Sequence, residues 1–315
     1  MTPDVKVSLI ATVKDAAGEI GEFLESVAAQ ARPPDEVVIC DGGSIDGTAE
    51  LLHAADGVVV LEEPGANIAR GRNLAIRAAT HDVIAVSDAD CVLDPGWLAA
   101  LLPAIERGAD VAMGTSEALT RSLFQDLAAA IAVPDPSEIR EERFLPSARS
   151  VAFRRTAFEA AGGYPEWLHI GEDMYVNHRW LEQGARMELV PEAVVRWRAR
   201  EDLKGHWRQY RAYAEGDALA GMYPRRHLLR FAVYGGLAAA VASRNRRVMA
   251  AAAMAGVTYA RRPLGRAFRR FPGTRRRAAA AVGVPALMAF TDAAKMTGYV
   301  RGLLRSRAGG GRPPG

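Results

Sequence analysis

Short runs of β-branched residues alternate with amphipathic segments through the first 115 residues of the chain. This alternation predicts strands at residues 5–13, 36–40, 58–61, 83–87 and 111–114, and helices at 19–30, 48–55 and 68–79. Strands and helices that follow each other in this order form strand–helix–strand units with parallel strands. We therefore expect an α/β fold, with a mostly parallel sheet and flanking helices.

The composition is that of a folded protein that needs no covalent cross-links. Of the 315 residues, 49% are hydrophobic and 24% are charged. The two cysteines, Cys40 and Cys91, have no spacing typical of a disulfide framework or a zinc site. The amino-terminal residues lack the pattern of a signal peptide, and no run reaches the ~20 apolar residues of a membrane span. These features predict a cytoplasmic location.

The charges divide the chain into two parts. Residues 218–291 contain fourteen arginines and no Asp or Glu, and residues 218–315 together carry a net charge of +18. Because the whole chain carries +3, residues 1–217 carry −15. This division predicts an acidic globular domain at 1–217 and a basic, alanine-rich helical tail at 218–315.

Carboxylates follow two of the predicted strands, where sheets of this type bind their ligands. Asp88-Ala89-Asp90 has the spacing of two ligands for Mg²⁺ or Mn²⁺, although an acidic loop that caps the next helix would look the same. Asp41 precedes Gly42 and Gly43, so its carboxylate could accept a hydrogen bond from a base or a ribose. Alternatively, the glycines could merely relieve crowding in a turn. We expect both acidic turns to share one crevice.

Three further groups have candidate roles. Glu172 and Asp173 form a carboxylate pair that could abstract a proton, or could only begin a helix. Arg72 lies in a predicted helix start, where it could bind phosphate or lie on the surface. Arg208 and Arg211, just before the charge boundary, are candidate substrate-binding residues or one face of a surface helix.

The order of these motifs resembles the family 2 glycosyltransferases. The similar segments lie between about residues 5 and 216 and comprise the opening strand at 7–13, the second strand and its turn at 38–48, Gly71-Arg72-Asn73, Asp88-Ala89-Asp90, and Phe153-Arg154-Arg155 with Gly162-Gly163-Tyr164 before Glu172-Asp173. Five motifs in order are far more specific than any one of them. The resemblance implies a GT-A fold, with residues 1–115 binding the nucleotide-sugar and 116–217 the acceptor.

The resemblance also implies an activity: inverting transfer of a sugar from a nucleotide-diphospho-sugar to an acceptor hydroxyl of a glycan, a lipid or a small molecule, as in cell-envelope glycans. By position, Asp41 would contact the base, Arg72 the donor, Asp88 the ribose and the metal, Asp90 the metal (Mg²⁺ or Mn²⁺), and Asp173 would be the general base supported by Glu172. Lys14-Asp15 replaces the family's usual aromatic–Asn pair, and Val195-Arg196-Trp197 stands where a metal-binding histidine is often found. Ala212 replaces the Trp of processive synthases, which favours transfer of a single sugar.

The tail contains apolar runs at 231–243, 248–260 and 278–291. The first two are separated by three arginines, which a membrane span would bury at ~2.5–3.5 kcal/mol each. Helices lying on the anionic inner face of the cell membrane fit better, because each basic residue there contributes ~1 kcal/mol. Nucleic-acid binding lacks any accompanying motif, and a solvated helical hairpin is the plain alternative. Residues 309–315 are expected to be disordered.

Two other functions fit parts of the pattern. A nucleotidyltransferase usually has a glycine-rich, lysine-containing loop after the first strand, and residues 12–18 contain only one glycine. A non-catalytic, membrane-associated scaffold could keep the same fold. The presence of Asp88, Asp90 and Asp173 favours an enzyme over such a scaffold.

Overall fold

The computed structural model describes residues 5–308. Its first elements are β1 (Val7–Val13), α1 (Ile20–Ala28), β2 (Glu36–Asp41), α2 (Thr48–His53), β3 (Val58–Glu62), α3 (Ile68–Ala78), β4 (Val83–Val86), β5 (Cys91–Leu93), α4 (Trp97–Glu106) and β6 (Val111–Leu119). They are followed by α5 (Leu123–Ala132), β7 (Val151–Arg154), α6 (Arg155–Ala160), α7 (Glu172–Glu182), β8 (Met187–Arg198), α8 (Leu203–Leu219), α9 (Pro224–Ala242), α10 (Arg246–Arg270) and α11 (Thr274–Arg307).

The chain forms two compact units. The sheet unit consists of the described residues up to Leu119 together with Ile139–Arg198, and the helical unit consists of Thr120–Glu138 and the described residues from Ala199 onward. The helical unit therefore contains α5 and α8, both of which precede the predicted boundary at 217/218. The assignment of residues 1–217 to one functional domain stays a prediction.

The sheet unit contains one mixed eight-stranded sheet in the order β3-β2-β1-β4-β7-β6-β8-β5. The first four strands of this order are parallel, as the alternating pattern predicts. β7 runs antiparallel to both β4 and β6, and β5 runs antiparallel to β8. The expected α/β class with flanking helices is confirmed, and the parallel half of the sheet presents the carboxyl ends of β1, β2 and β4 at one edge.

Burial on both faces explains the apolar strands. Every residue of β4 is buried, as are six of the seven residues of β1. Helix α3 approaches β1 so closely at Gly71 that a Cβ there would lie 2.8 Å from Cγ2 of Thr12. Only glycine fits this contact without movement, and the contact fixes where the next residue, Arg72, enters the structure.

The helical unit is held together by α8, α11 and α5. A Cβ at Gly298 or Gly302 of α11 would lie 2.0 Å from the Arg211 carbonyl oxygen or 2.6 Å from that of Glu215, so α11 and α8 pack with their backbones in contact. An apolar cluster joins Leu127 of α5 to Ala267 of α10 and Val284 of α11. The expected helical carboxy-terminal part is confirmed.

Two predictions about the tail concern membrane spans and disorder. Among the described helices, none combines the length and the apolar character that crossing a membrane requires. The segment expected to be disordered, residues 309–315, lies outside the described residues.

Candidate active site

Both acidic turns predicted from the sequence lie at the same edge of the sheet. Asp41 is the last residue of β2, where it is paired with Val13 at the end of β1. Asp88 follows the end of β4 by two residues, on the other side of β1. Because β2, β1 and β4 are parallel, their carboxyl ends lie at one edge of the sheet. Asp41 and the Asp88-Ala89-Asp90 segment lie at these ends, as the sequence led us to expect.

The Asp41 carboxylate stabilises the turn that follows it. It is 1% exposed and accepts hydrogen bonds from the backbone N–H of Ser44, at 3.1 and 3.2 Å, and from the Ser44 hydroxyl at 2.6 Å. Gly43 has a φ of +87°, and a Cβ there would lie 3.0 Å from Cα of Pro64, so the turn needs glycine. In this conformation Asp41 shapes the turn, and its contact with a base stays a prediction.

Asp15 ties the loop after β1 to this turn. Its backbone N–H donates to Ser44 Oγ at 2.8 Å, and its carboxylate accepts from the Ile45 N–H at 2.9 Å. This residue stands where the family resemblance leads one to expect an asparagine. An aspartate at this position can accept but not donate, so it binds backbone N–H groups.

Arg72 connects two carboxylates that lie far apart in sequence. Its side chain is 3% exposed, and its guanidinium donates to Asp88 Oδ1 at 2.5 Å and to Glu172 Oε1. The ring of Tyr164 lies beside it, with its centroid 5.4 Å from the guanidinium carbon. Arg72 is therefore a buried bridge between the end of β4 and the start of α7. The alternative that Arg72 lies on the surface is wrong.

Asp88 lies between two arginines. Arg149 Nε lies 3.4 Å from Asp88 Oδ2, opposite the bond from Arg72. Burial alone would raise the pKa of Asp88, but the two guanidiniums outweigh this and lower the pKa below its ordinary value. Asp88 is therefore held as a carboxylate. Asp90 is half-buried, and the Cys91 thiol lies 3.6 Å from its Oδ1.

The fit of a divalent cation can be tested on these residues. Within residues 5–308, no three His, Cys, Asp or Glu side chains are grouped closely enough to hold a metal alone. Asp88 and Asp90 are nevertheless hard oxygen donors of the type that Mg²⁺ and Mn²⁺ prefer, and such ions commonly complete their shell with water and substrate phosphate. Two carboxylates at this sheet edge thus fit a metal that arrives with a diphosphate.

Trp197 belongs to the Val195-Arg196-Trp197 segment, where the resemblance leads one to expect a metal-binding histidine. It is paired with Cys91 in the β5–β8 ladder, next to Asp90, and cannot ligate a metal. Instead its ring stacks under the Arg149 guanidinium at 4.8 Å. Sequence reasoning missed Arg149, because a single arginine outside any motif gives no signal of the side chains that it meets.

The carboxylate pair at the start of α7 has two environments. Glu172 is 5% exposed, and burial, together with the neighbouring Asp173, raises its pKa to about 7 despite the opposing effect of Arg72. Asp173 is half-buried, and its carboxylate accepts from the backbone N–H groups of Met174 at 2.8 Å and Ala148 at 3.3 Å. Asp173 also lines a cavity of about 10 Å³, which can hold about one water molecule.

Two predicted site residues belong to the helical unit. Arg208 and Arg211 are on α8, in the helical unit, where Arg208 is exposed and Arg211 is half-buried. Asp41, Arg72, Asp88, Asp90, Glu172 and Asp173 are all in the sheet unit. The substrate-binding role of the two arginines stays a prediction.

Part of the chain matches a known protein family. Residues 8–141 match the family model described as "Glycosyl transferase family 2". The matched segment is less than half of the chain, and over these residues the resemblance to the family is confirmed. The matched segment contains β1, the Asp41 turn, Arg72 and the Asp88-Ala89-Asp90 segment, as the sequence resemblance implied.

Two curated relatives are glycosyltransferases. The pre-mycofactocin glycosyltransferase of Mycobacterium tuberculosis is 29% identical over 199 residues, which are 58% of this chain and 41% of the relative. The O-antigen chain rhamnosyltransferase of Salmonella typhimurium is 23% identical over 207 residues, or 61% of this chain and 66% of the relative. The chain thus spans about two fifths of the length of the mycobacterial relative.

Solved structures confirm the GT-A fold. A mannosyltransferase from Pyrobaculum calidifontis, in complex with GDP-Man and Mn²⁺, has a TM-score of 0.54 and 20% identity, covering 98% of this chain and 88% of its own. S. aureus TarS in complex with UDP has a TM-score of 0.50 and 17% identity, covering 97% of this chain and 92% of its own. At these identities the likeness concerns the fold.

Proposed function

We propose that this chain is an inverting glycosyltransferase, which transfers a sugar from a nucleotide-diphospho-sugar to an acceptor hydroxyl. The single observation that carries the proposal is the Arg72 bridge. It ties Asp88, at the sheet edge where we propose that the nucleotide binds, to Glu172, which adjoins the proposed base Asp173. One buried guanidinium thereby aligns the donor side and the acceptor side of a single site.

Asp173 is the proposed general base. Its half-buried carboxylate is fixed by two backbone N–H groups, which leaves lone pairs for a third donor, the acceptor hydroxyl. In the reaction the acceptor oxygen forms a bond to the anomeric carbon, and the bond to the nucleoside diphosphate breaks. The hydroxyl proton goes to Asp173, and a single displacement inverts the anomeric centre.

Glu172 has a positioning role in this proposal. It is buried against Arg72 and opens the helix that carries Asp173. Because burial raises its pKa to about 7, its charge near neutral pH depends on Arg72. We propose that the pair holds the start of α7 in place and that Asp173 exchanges the proton.

Asp88 and Asp90 would hold a divalent cation, Mg²⁺ or Mn²⁺, as the complex of the Pyrobaculum neighbour with Mn²⁺ suggests. When bound, such an ion neutralises negative charge that develops on a departing diphosphate. Asp88 accepts a hydrogen bond from Arg72 and forms an ion pair with Arg149, and both contacts keep it ionised. Asp41 and Arg72 are proposed to contribute to the nucleotide-binding side.

The basic tail is proposed to bind the inner surface of the cell membrane. Its exposed arginines, among them Arg246, Arg247 and Arg276, lie on the same helices as exposed apolar residues such as Met254 and Val282. This combination favours binding to anionic lipid by charge and shallow apolar contact. Arg208 and Arg211 are proposed to bind the acceptor or its carrier.

A thermal-shift panel tests the donor site. Nucleoside diphosphates and their sugars are added to the wild type, with Mn²⁺, Mg²⁺ or EDTA, and to Asp90→Asn. A ligand at 100 times its dissociation constant stabilises the folded state by about 2.7 kcal/mol. We expect metal-dependent stabilisation by one nucleotide, lost in Asp90→Asn and kept in the control Asp82→Asn, which removes an exposed carboxylate.

Sugar transfer tests the base. With the donor identified, Asp173→Asn is expected to slow product formation by ~10²–10⁴-fold while nucleotide binding remains. The product's anomeric configuration, read by NMR, distinguishes inversion from retention. If Asp173→Asn transfers sugar as fast as the wild type, Asp173 is not the base. If the wild type is stabilised by none of the nucleotides, a non-catalytic scaffold is favoured.

A further inference from the structure

The helical unit contains a cavity that the sugar-transfer proposal does not use. Its volume is about 290 Å³, close to the lower end of the ~300–1,000 Å³ range of small-molecule sites. It lies among α9, α10 and α11, and five basic side chains but a single acidic one line it. These residues are Arg226, Arg230, Arg262, Arg266, Lys295 and Asp292.

Two of the five basic groups are already compensated. Arg230 donates to Asp292 Oδ1 at 3.0 Å, and both side chains are 7% exposed. The remaining oxygen of Asp292 accepts from two tyrosine hydroxyls, so this carboxylate has little capacity left. Arg266 is paired with Glu138, at 2.6 Å.

The other three basic groups have no such partner. Neither Arg226, Arg262 nor Lys295 forms an ion pair with a carboxylate anywhere in residues 5–308. Arg226 and Arg262 are exposed, whereas Arg230 and Asp292 are buried, so the unpaired arginines lie at the mouth of the cavity and the compensated pair lies at its base.

The basic groups repel one another. Burial, and then the nearby Arg230 and Arg226, lower the pKa of Lys295 to about 8. At neutral pH the lysine is still mostly protonated, although Asp292 and Asp217 oppose the shift. Asp292 and Glu138 are paired with Arg230 and Arg266, so the cavity keeps an excess of positive charge. A ligand with two negative charges would relieve this repulsion.

We propose that this cavity binds the phosphoryl group of a phosphate-bearing ligand. Two arginines at the mouth present planar donor pairs that match phosphate oxygens, and Lys295 supplies a compact charge deeper in the cavity. The phosphate belongs either to a free phosphate or to a lipid headgroup. Leu229, which also lines the cavity, is 58% exposed, and the adjacent Leu228 is 62% exposed, so apolar surface adjoins the site.

The test uses the full chain and two matched double variants. Arg226→Gln with Arg262→Gln removes the two charges at the mouth. Arg77→Gln with Arg200→Gln removes two exposed charges that lie outside the tail and do not line the cavity. Neither pair of arginines forms a buried ion pair, so both variants should fold, which thermal unfolding verifies.

Two probes distinguish the sources of the phosphate. Inorganic phosphate is titrated by calorimetry, and vesicles of phosphatidylcholine with and without phosphatidic acid are tested by co-sedimentation. We expect the wild type and the control variant to bind one probe equally, and the cavity variant to bind it at least about tenfold more weakly, since each lost charged contact costs about that factor. Binding of inorganic phosphate indicates a free ligand, and binding of the phosphatidic acid vesicles alone indicates a lipid.

Two results would overturn the inference. One is a wild type that binds neither probe. The other is an equal loss in both variants, which would indicate diffuse attraction by the net charge of the protein instead of a site. Neither readout requires sugar transfer, so the outcome is independent of the proposed activity.

Discussion

Arg72 is the residue on which the candidate site most depends. Its guanidinium is buried with two carboxylates, Asp88 and Glu172, and removal of a buried ion-pair partner typically costs ~3–5 kcal/mol. We therefore expect Arg72→Met to lower the free energy of unfolding by several kcal/mol, measured by urea denaturation. The control Arg77→Met changes an exposed arginine of the same helix and should have little effect. Equal effects of the two variants would contradict the bridge.

His206 gives the helical unit a pH-dependent stability. Burial, and then Lys295, lower its pKa to about 4, and its ring nitrogen Nε2 donates to Thr291 Oγ1, since that hydroxyl itself donates to Leu287 O. In the unfolded chain the imidazole protonates near pH 6.5. The unfolded state thus binds more protons between pH 6.5 and 4, and stability falls as the pH decreases through this window.

His206→Gln tests this dependence because glutamine keeps an N–H donor but does not titrate. The wild type should lose stability between pH 6.5 and 4 more steeply than the variant, as measured by the free energy of unfolding at each pH. Parallel curves would show that His206 titrates alike in both states.

At the scale of elements, the contact of α3 with β1 makes a further prediction. A Cβ at Gly71 would lie 2.8 Å from Cγ2 of Thr12, so Gly71→Ala should destabilise the protein by ~1–3 kcal/mol through overpacking. Gly21→Ala, in α1, meets no atom within 4 Å and should stabilise by ~0.5–1 kcal/mol, because alanine favours helix. Thermal unfolding compares the two variants.

A second substitution confirms the cause. Thr12→Ser removes the Cγ2 methyl group, so it should recover part of the stability that Gly71→Ala loses. Additive losses in the double variant would place the strain elsewhere.

The elements that sequence predicted and those that it missed differ in their patterns. β1, β2 and β4 are short apolar runs between turn signals, and each observed strand lies within two residues of its predicted bounds. β5 has only three residues, and β8 contains Pro191, which argues against a strand. Apart from the start of β6, which was predicted at 111–114, the strands of the mixed half of the sheet were therefore not predictable from local pattern.

The candidate site divides in the same way. Asp41, Asp88 and Asp90 follow predicted strands, so strand order alone brings them to one edge of the sheet. The bond from Arg72 to Glu172 joins residues 100 positions apart, and no local rule predicts such a pair. The roles of Asp41 and Arg72 in stabilising the fold emerged only from their contacts.

The division into units makes a prediction about the whole molecule. Leu127, Ala128 and Ala130 of α5 pack with residues of α10 and α11 inside the helical unit, although α5 precedes the charge boundary by almost 90 residues. A chain that ends at residue 217 would expose this apolar face of α5 and the α8 surface that contacts α11. Exposed apolar patches of this kind promote aggregation.

We therefore expect a chain of residues 1–217 to be much less stable than the full chain and to bind a hydrophobic dye such as ANS. The matched comparison is the full chain with Leu127→Ser, in which one side chain of the same cluster is made polar. Size-exclusion chromatography and dye fluorescence measure both proteins. Residues 1–217 could instead form a monomer that unfolds cooperatively at the same temperature as the full chain. The basic tail would then be a separate appendage, as the charge pattern alone predicts, and truncation could show whether the tail binds membranes. Otherwise only substitutions of exposed arginines in the intact protein can show this.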